Sequence, residues 1–162
     1  MIEIVNVRRD KQVMNEMQLE FRAVSDNEAF ARMAVAAFVA QLNPTMEELS
    51  DIKTAVSEAV TNAIIHGYEG DHQGENSVWI NCLIRKDVLE IEIRDTGVGI
   101  ENVEKAMEPL FTTKPELDRS GMGFAFMEAF MDDLEVISEV GQGTLVRMLK
   151  KLGTASWIDQ EE

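Results

Sequence analysis

The sequence predicts an α+β fold: a two-layer sandwich in which helices cover one face of a mixed, mainly antiparallel sheet. Three observations predict it. Segments with an apolar period of two and segments of helical period follow one another as strand, two helices, two strands, long loop, helix, two strands. Strands next to each other in the chain are separated by short turns, which favours antiparallel neighbours. No internal repeat or domain linker divides the 162 residues, a length suited to one domain with its own core. Helices grouped on one side of such a sheet bury both sets of apolar faces.

Met17, Leu19, Phe21 and Ala23 alternate with Gln18, Glu20 and Arg22, so residues 17–23 read as a half-buried strand. Residues 1–14 show no pattern beyond Ile2 and Ile4 and read as an N-terminal extension or a short extra strand. Ser25-Asp26-Asn27-Glu28 has the form of a capping box, in which Ser25 and Glu28 satisfy each other's backbone donors. The helix it opens carries Phe30, Met33, Ala34, Ala37 and Phe38 on one face, and Asn43-Pro44 stops it. Thr45-Met46-Glu47-Glu48 is a second capping box. Its helix sets Ile52, Val56, Ala59, Val60 and Ala63 at helical spacing and ends near His66-Gly67, with Gly67 just past the end.

A polar loop, 69–76, leads to strands at 78–84 and 88–94 around the turn Arg85-Lys86-Asp87. Residues 95–123 hold four glycines and two prolines with weak periodicity. So long a connection in a compact chain reads as functional, with a lid at 101–120. A helix at 124–131 and strands at 134–140 and 144–152 complete a domain spanning 15–152, and an acidic tail, 153–162, follows. Cys82, Trp79 and the methionines read as packing residues.

Composition narrows the function. An apolar content of 45% is that of a globular chain rather than a disordered one. A formal charge of −15 argues against direct nucleic-acid binding, because a phosphate backbone selects Lys and Arg. With Cys82 as the single cysteine, no internal disulfide framework exists and a cytoplasmic setting is expected. No apolar run approaches the ~20 residues of a membrane helix, and Met1-Ile2-Glu3-Ile4 does not begin as a secretory signal does.

Three short motifs carry chemistry. Glu58 and Asn62 lie four apart on the second helix and project from one face, with His66 a turn later. A carboxylate base beside an amide oxygen could serve proton transfer and a hard cation such as Mg²⁺; alone, the pair reads more readily as a solvated helix face. Asp95-Thr96-Gly97-Val98-Gly99 stands where a strand gives way to a loop, a plain turn or a place where backbone approaches a ligand and Asp95 accepts a hydrogen bond. Arg119-Ser120-Gly121-Met122-Gly123 ends at a helix start, where free N–H groups and the dipole favour an anion. Thr112, Thr113 and Lys114 upstream add hydroxyls and a positive charge; the alternative is a glycine-rich hinge.

Taken together, the order of these motifs resembles the GHKL ATPases, whose nucleotide lies in the sandwich called the Bergerat fold. Residues 57–63 look like the family's N box, Asp95-x-Gly97-x-Gly99 like its first glycine box, and Ser120-Gly121-x-Gly123 like its second. Residues 58–68 and 109–123 more narrowly resemble one branch, the anti-sigma serine kinases of sporulating bacteria. The likeness runs from about Asn15 to Lys151; the extension, a slightly longer 69–76 loop and the tail depart from it.

The resemblance implies ATP with Mg²⁺ held by Asn62, Asp95 accepting from the adenine amino group, and Gly97 and Gly99 passing close to the nucleotide. Thr112, Thr113, Lys114, Ser120, Gly121 and Gly123 would surround the phosphates. Arg119 would meet the γ-phosphate, and Glu58 would take the proton of an attacking serine. It also implies a sigma factor and an anti-anti-sigma substrate as partners, a homodimer through the sheet, and Arg32 on the first helix as a partner contact. Two alternatives share the fold. One is a nucleotide-gated binding module without kinase activity. The other is a histidine-kinase ATP-binding domain, which lacks its phosphoacceptor helix here and whose N box usually has Asn where Glu58 stands.

Overall fold

The computed structural model describes residues 13–71, 74–109 and 123–153. Five strands form one sheet: β1 (Asn15–Arg22), β2 (Ser77–Arg85), β3 (Val88–Asp95), β4 (Asp133–Glu139) and β5 (Gly143–Lys151). Their order across the sheet is β1-β2-β3-β5-β4, and each of the four pairings is antiparallel, so the expected mixed sheet is antiparallel throughout its described strands. The helices are α1 (Asp26–Val39), α2 (Met46–Asn62), α3 (Val103–Ala106) and α4 (Gly123–Phe130).

Alternation decides which side of the sheet meets the helices. In register, Leu19, Ile80, Ile93, Val146 and Val136 form one row across all five strands, and Met17, Cys82, Ile91, Met148 and Leu134 form the next. These rows join Ile52, Val56, Ala59 and Val60 of α2 in a single core. Fully burying each Ile or Val contributes about 1.5–3 kcal/mol, which makes this face the main source of stability. The opposite face carries Glu20, Trp79, Arg94, Leu145 and Ile137 in one row, with the Arg94 guanidinium 4.1 Å over the Trp79 ring. In the next row, Arg147 pairs with Glu92 at 2.8 Å and with Glu135 at 2.9 Å.

The two capping-box sequences behave differently. Thr45 is extended, its Oγ1 accepts from Glu48 N at 3.1 Å, and Thr45 N donates to Glu48 Oε2 at 3.1 Å. Ser25 instead has helical dihedrals and makes no side-chain cap. A capping serine needs extended backbone to swing its hydroxyl over the first turn. Here the chain enters α1 through a turn closed by Asn27 N to Val24 O, Asn27 Nδ2 bonds Arg22 O at 2.9 Å, and Glu28 pairs with Arg32 at 3.7 Å.

The buried face of α1 also differs from the expected one. Ala31, Val35, Ala36 and Val39 are buried, whereas Phe30 and Met33 are 53% and 55% exposed and Ala37 is exposed. The helix is apolar nearly all round, so periodicity offers two faces. Small and β-branched residues win the contact because they let α1 sit close against α2. Nor are all the methionines core residues: Met127 and Met148 are fully buried, but Met14 and Met46 are 71% and 82% exposed.

The exit of α2 is a π turn, Ala63–Gly67, that closes with Tyr68 N donating to Ala63 O at 3.0 Å. The left-handed residues that follow are Glu69 (φ 57°) and Gly70 (φ 71°), not Gly67. A π turn inside an α-helix frequently marks a functional site. Among the described residues, no helix is long and apolar enough to cross a membrane.

Candidate functional site

The π turn places Gly67 directly against the end of β3. A Cβ on Gly67 would stand 2.8 Å from the carboxylate carbon of Asp95, and one on Gly97 would fall 1.8 Å from the Gly67 carbonyl oxygen. Val98 N donates to that same oxygen at 2.8 Å. The absent side chains at 67 and 97 therefore let the loop after β3 pack backbone to backbone on α2. Gly99 (φ +75°) abuts the Glu139 carbonyl in the same way, with a Cβ there only 2.2 Å from the oxygen. Gly97 and Gly99 thus have protein backbone as their nearest neighbours, and Gly67 has the Asp95 carboxylate, roles the sequence reading did not give them.

Asp95 is 5% exposed. Burial pushes its carboxyl up from 3.8 to about 6, against the opposing pull of the Gly97 and Thr144 N–H groups and the Arg94 charge. Gly97 N donates to Asp95 Oδ1 at 2.9 Å. The carboxylate lines a cavity of about 770 Å³ whose walls include Asn62, His66, Gly99, Lys105, Gly123 and Thr144. Such a volume lies in the range of a small-molecule or cofactor site.

At the other wall, α2 and α4 converge. A Cβ on Gly123 would lie 3.0 Å from Asn62 Nδ2, 3.2 Å from Asn62 Oδ1 and 3.2 Å from Glu58 Oε2. The helical spacing thus brings Glu58 and Asn62 to one place, the first residue of α4. Asn62, Asp95, Gly99 and Gly123 border a single cavity, and Glu58 adjoins it. Arg32 stands apart on α1, its side chain 37% exposed. Thr112, Thr113, Lys114, Arg119, Ser120 and Gly121 lie outside the described residues, as does most of the lid, of which α3 is a described part.

Sequence reasoning missed Thr144 and Lys105. Thr144 sits opposite Asp95 in the β3–β5 register, a pairing that no local pattern announces. Lys105 reaches the cavity from α3, a four-residue helix capped by Asn102, whose Oδ1 accepts from Lys105 N at 3.0 Å. The Asn102 cap was the one readable signal there.

Residues 21–150 match the family described as "Histidine kinase-like ATPase domain". The chain belongs to this family and, within it, to the family of the anti-sigma F factors. It is 61% identical to the anti-sigma F factor of Anoxybacillus flavithermus over 138 residues, covering 85% of this chain and 93% of that protein. Identity to the anti-sigma F factor of Clostridium perfringens is 61% over 140 residues, 86% of this chain and 99% of that one. For the anti-sigma F factor of Bacillus thuringiensis it is 58% over 142 residues, 88% and 96% of the two chains. The fold is also that of the solved RsbU and RsbW domains of a Mycobacterium tuberculosis protein, with a TM-score of 0.62 at 17% identity. That match covers 85% of this chain and 32% of the larger one, and at this identity it speaks for the fold alone. Family membership implies ATP binding.

Proposed function

We propose that this protein is an ATP-dependent anti-sigma factor that holds a sporulation sigma factor and phosphorylates a serine of an anti-anti-sigma protein. One observation carries the reading: Glu58 and Asn62 meet at Gly123, and Asn62 and Gly123 line one cavity with the buried Asp95. The likeness to anti-sigma F factors over nearly their whole length supports the choice of partners. The exposed apolar stripe of Phe30, Met33 and Ala37 on α1, with Arg32 on the same helix, supports docking of a protein there. A homodimer through the outer sheet face belongs to the same reading, and half-buried Trp79 and exposed Ile137 supply that face with apolar surface. The setting is the cytoplasm.

In this reading Asp95 accepts from the adenine amino group and so selects the base. Gly99 and Gly123 belong to the cavity wall that borders the nucleotide. Arg119 offsets charge on the γ-phosphate, and Thr112, Thr113, Lys114, Ser120 and Gly121 surround the phosphates. Glu58 takes the proton from the partner's serine hydroxyl. The serine oxygen forms its bond to the γ-phosphorus as the bond from phosphorus to the β–γ bridging oxygen breaks, and ADP leaves with that electron pair. The donor chemistry fits Mg²⁺: Asn62 offers an amide oxygen at the cavity wall. Mg²⁺ characteristically takes few protein ligands and fills its shell with phosphate oxygens and water. When bound, it would neutralise phosphate charge.

The test is transfer itself. Labelled ATP, Mg²⁺ and a candidate anti-anti-sigma protein should give one phosphoserine on the partner. Glu58→Gln keeps the shape and should retain ATP and sigma-factor binding while single-turnover transfer falls by about 10²–10⁴. Near-normal transfer by this variant would remove Glu58 as the base. Binding without any transfer in the unaltered protein would leave a nucleotide-gated binder in place of a kinase.

A further inference from the structure

Tyr68 is 7% exposed, and its hydroxyl joins three segments of chain. It donates to Ser77 O at the start of β2 at 2.5 Å, accepts from Thr96 N at 2.8 Å, and lies 3.2 Å from Thr96 Oγ1. The preceding residue, Gly67, accepts from Val98 N at 2.8 Å. Two consecutive residues at the exit of α2 therefore grip alternate residues of the loop after β3. The π turn makes this possible, because it closes on Tyr68 through Ala63 O and so fixes where the phenol ring departs.

The Thr96 N–H belongs to the peptide that joins Asp95 to Thr96. Rotation of that peptide turns the Asp95 backbone and carries the carboxylate with it. There is no slack to absorb the movement. Gly97 N closes back on Asp95 Oδ1 at 2.9 Å, and the carboxylate lies so close to Gly67 that even a methyl group there would collide with it. A phenol held by Ser77 O on one side and by Thr96 N on the other is thus the outer support of the carboxylate. Core packing alone does not require the hydroxyl, since Phe would fill the same apolar space.

We infer that Tyr68 is a positioning residue for base selection: its hydroxyl locks the Asp95–Thr96 peptide and so aims the Asp95 carboxylate at an exocyclic amino group of a purine. The inference rests on the proposed role of Asp95 in reading adenine. A 6-amino purine donates to a fixed carboxylate, whereas a 6-oxo purine presents a carbonyl oxygen that repels it, so discrimination depends on how firmly the carboxylate is held. Loss of one neutral hydrogen bond corresponds to roughly threefold to tenfold in an equilibrium constant, and that loss should fall on ATP far more than on GTP.

The experiment compares ATP and GTP dissociation constants for the full chain and for Tyr68→Phe, well below both unfolding midpoints. In the unaltered protein ATP should bind more tightly than GTP, and Tyr68→Phe should shrink that preference about threefold to tenfold. An unchanged ATP:GTP ratio in a folded Tyr68→Phe, whatever its loss of stability, overturns the inference and leaves Tyr68 a structural residue. No preference for ATP in the unaltered protein overturns the Asp95 reading beneath it, a separate and recognisable failure. Amide hydrogen exchange on the unaltered protein keeps the idea testable if the variant does not fold. Thr96 is an exposed residue, yet its amide should exchange as slowly as those of β3. Exchange at the rate of an open loop would overturn the inference.

Discussion

Replacing Asp95 by Asn separates the cost of the site from its use. A carboxyl whose pKa is about 6 in the folded chain and 3.8 outside it makes the fold less stable once ionised. The gap corresponds to about 3 kcal/mol at about 1.4 kcal/mol per pKa unit. Because the folded value is the higher one, this stability is fully present below pH 3.8 and is lost as the pH rises through about 6. Asn carries no such charge and should show no such loss. Its amide has only one oxygen, however, and both the Gly97 and Thr144 N–H groups favour the carboxylate, so one bond is forfeited at a cost of about 1–3 kcal/mol.

Urea denaturation without nucleotide, from pH 4 to pH 7.5, should therefore show the Asn variant gaining on the unaltered protein by about 3 kcal/mol across that range. It should start less stable and finish equal or more stable. ATP affinity should move the other way, falling roughly tenfold to a hundredfold in the variant, because a hydrogen bond to a charged acceptor is lost. In the unaltered protein ATP affinity should also weaken as pH falls below about 6. A stability difference that stays flat with pH would refute the burial argument, and unchanged ATP affinity would refute the role in binding.

Three further outcomes follow from the packing. Gly97→Ala would drive a methyl into the Gly67 carbonyl 1.8 Å away, so the chain should lose about 3 kcal/mol or more and its ATP binding together; a normal urea midpoint would disprove the close approach. Val35→Ala should destabilise by about 1–3 kcal/mol, whereas Met33→Ser should cost less than about 0.5 kcal/mol. The reverse order in thermal melts would mean that α1 buries its other face. Cys82 is fully buried and its thiol is pushed up to about 12 by burial, so a thiol reagent at pH 8 should leave it unmodified until denaturant is added. Rapid labelling of the folded chain would contradict that position.

The sequence by itself determined the class and order of the elements. Period two marked β1 through Met17, Leu19 and Phe21, Thr45 and Glu48 announced the start of α2, and strict helical spacing identified Ile52, Val56, Ala59 and Val60 as core. It also brought Glu58 and Asn62 onto one helix face, because a separation of four residues is a local property of any helix. Where the local signal was degenerate, the tertiary structure decided. An α1 that is apolar nearly all round could bury Phe30 and Met33 or Val35 and Val39, and only the closeness of α2 chose the smaller residues. Ser25 had the right neighbours for a cap, yet the turn entering α1 gave it helical dihedrals that no side-chain type can override. The partnership of Asp95 with Thr144, with Gly67 and, through Thr96, with Tyr68 joins segments 27 to 49 residues apart in the chain. Contacts over such distances depend on strand register and on how a helix ends, so they exist only once the sheet has closed.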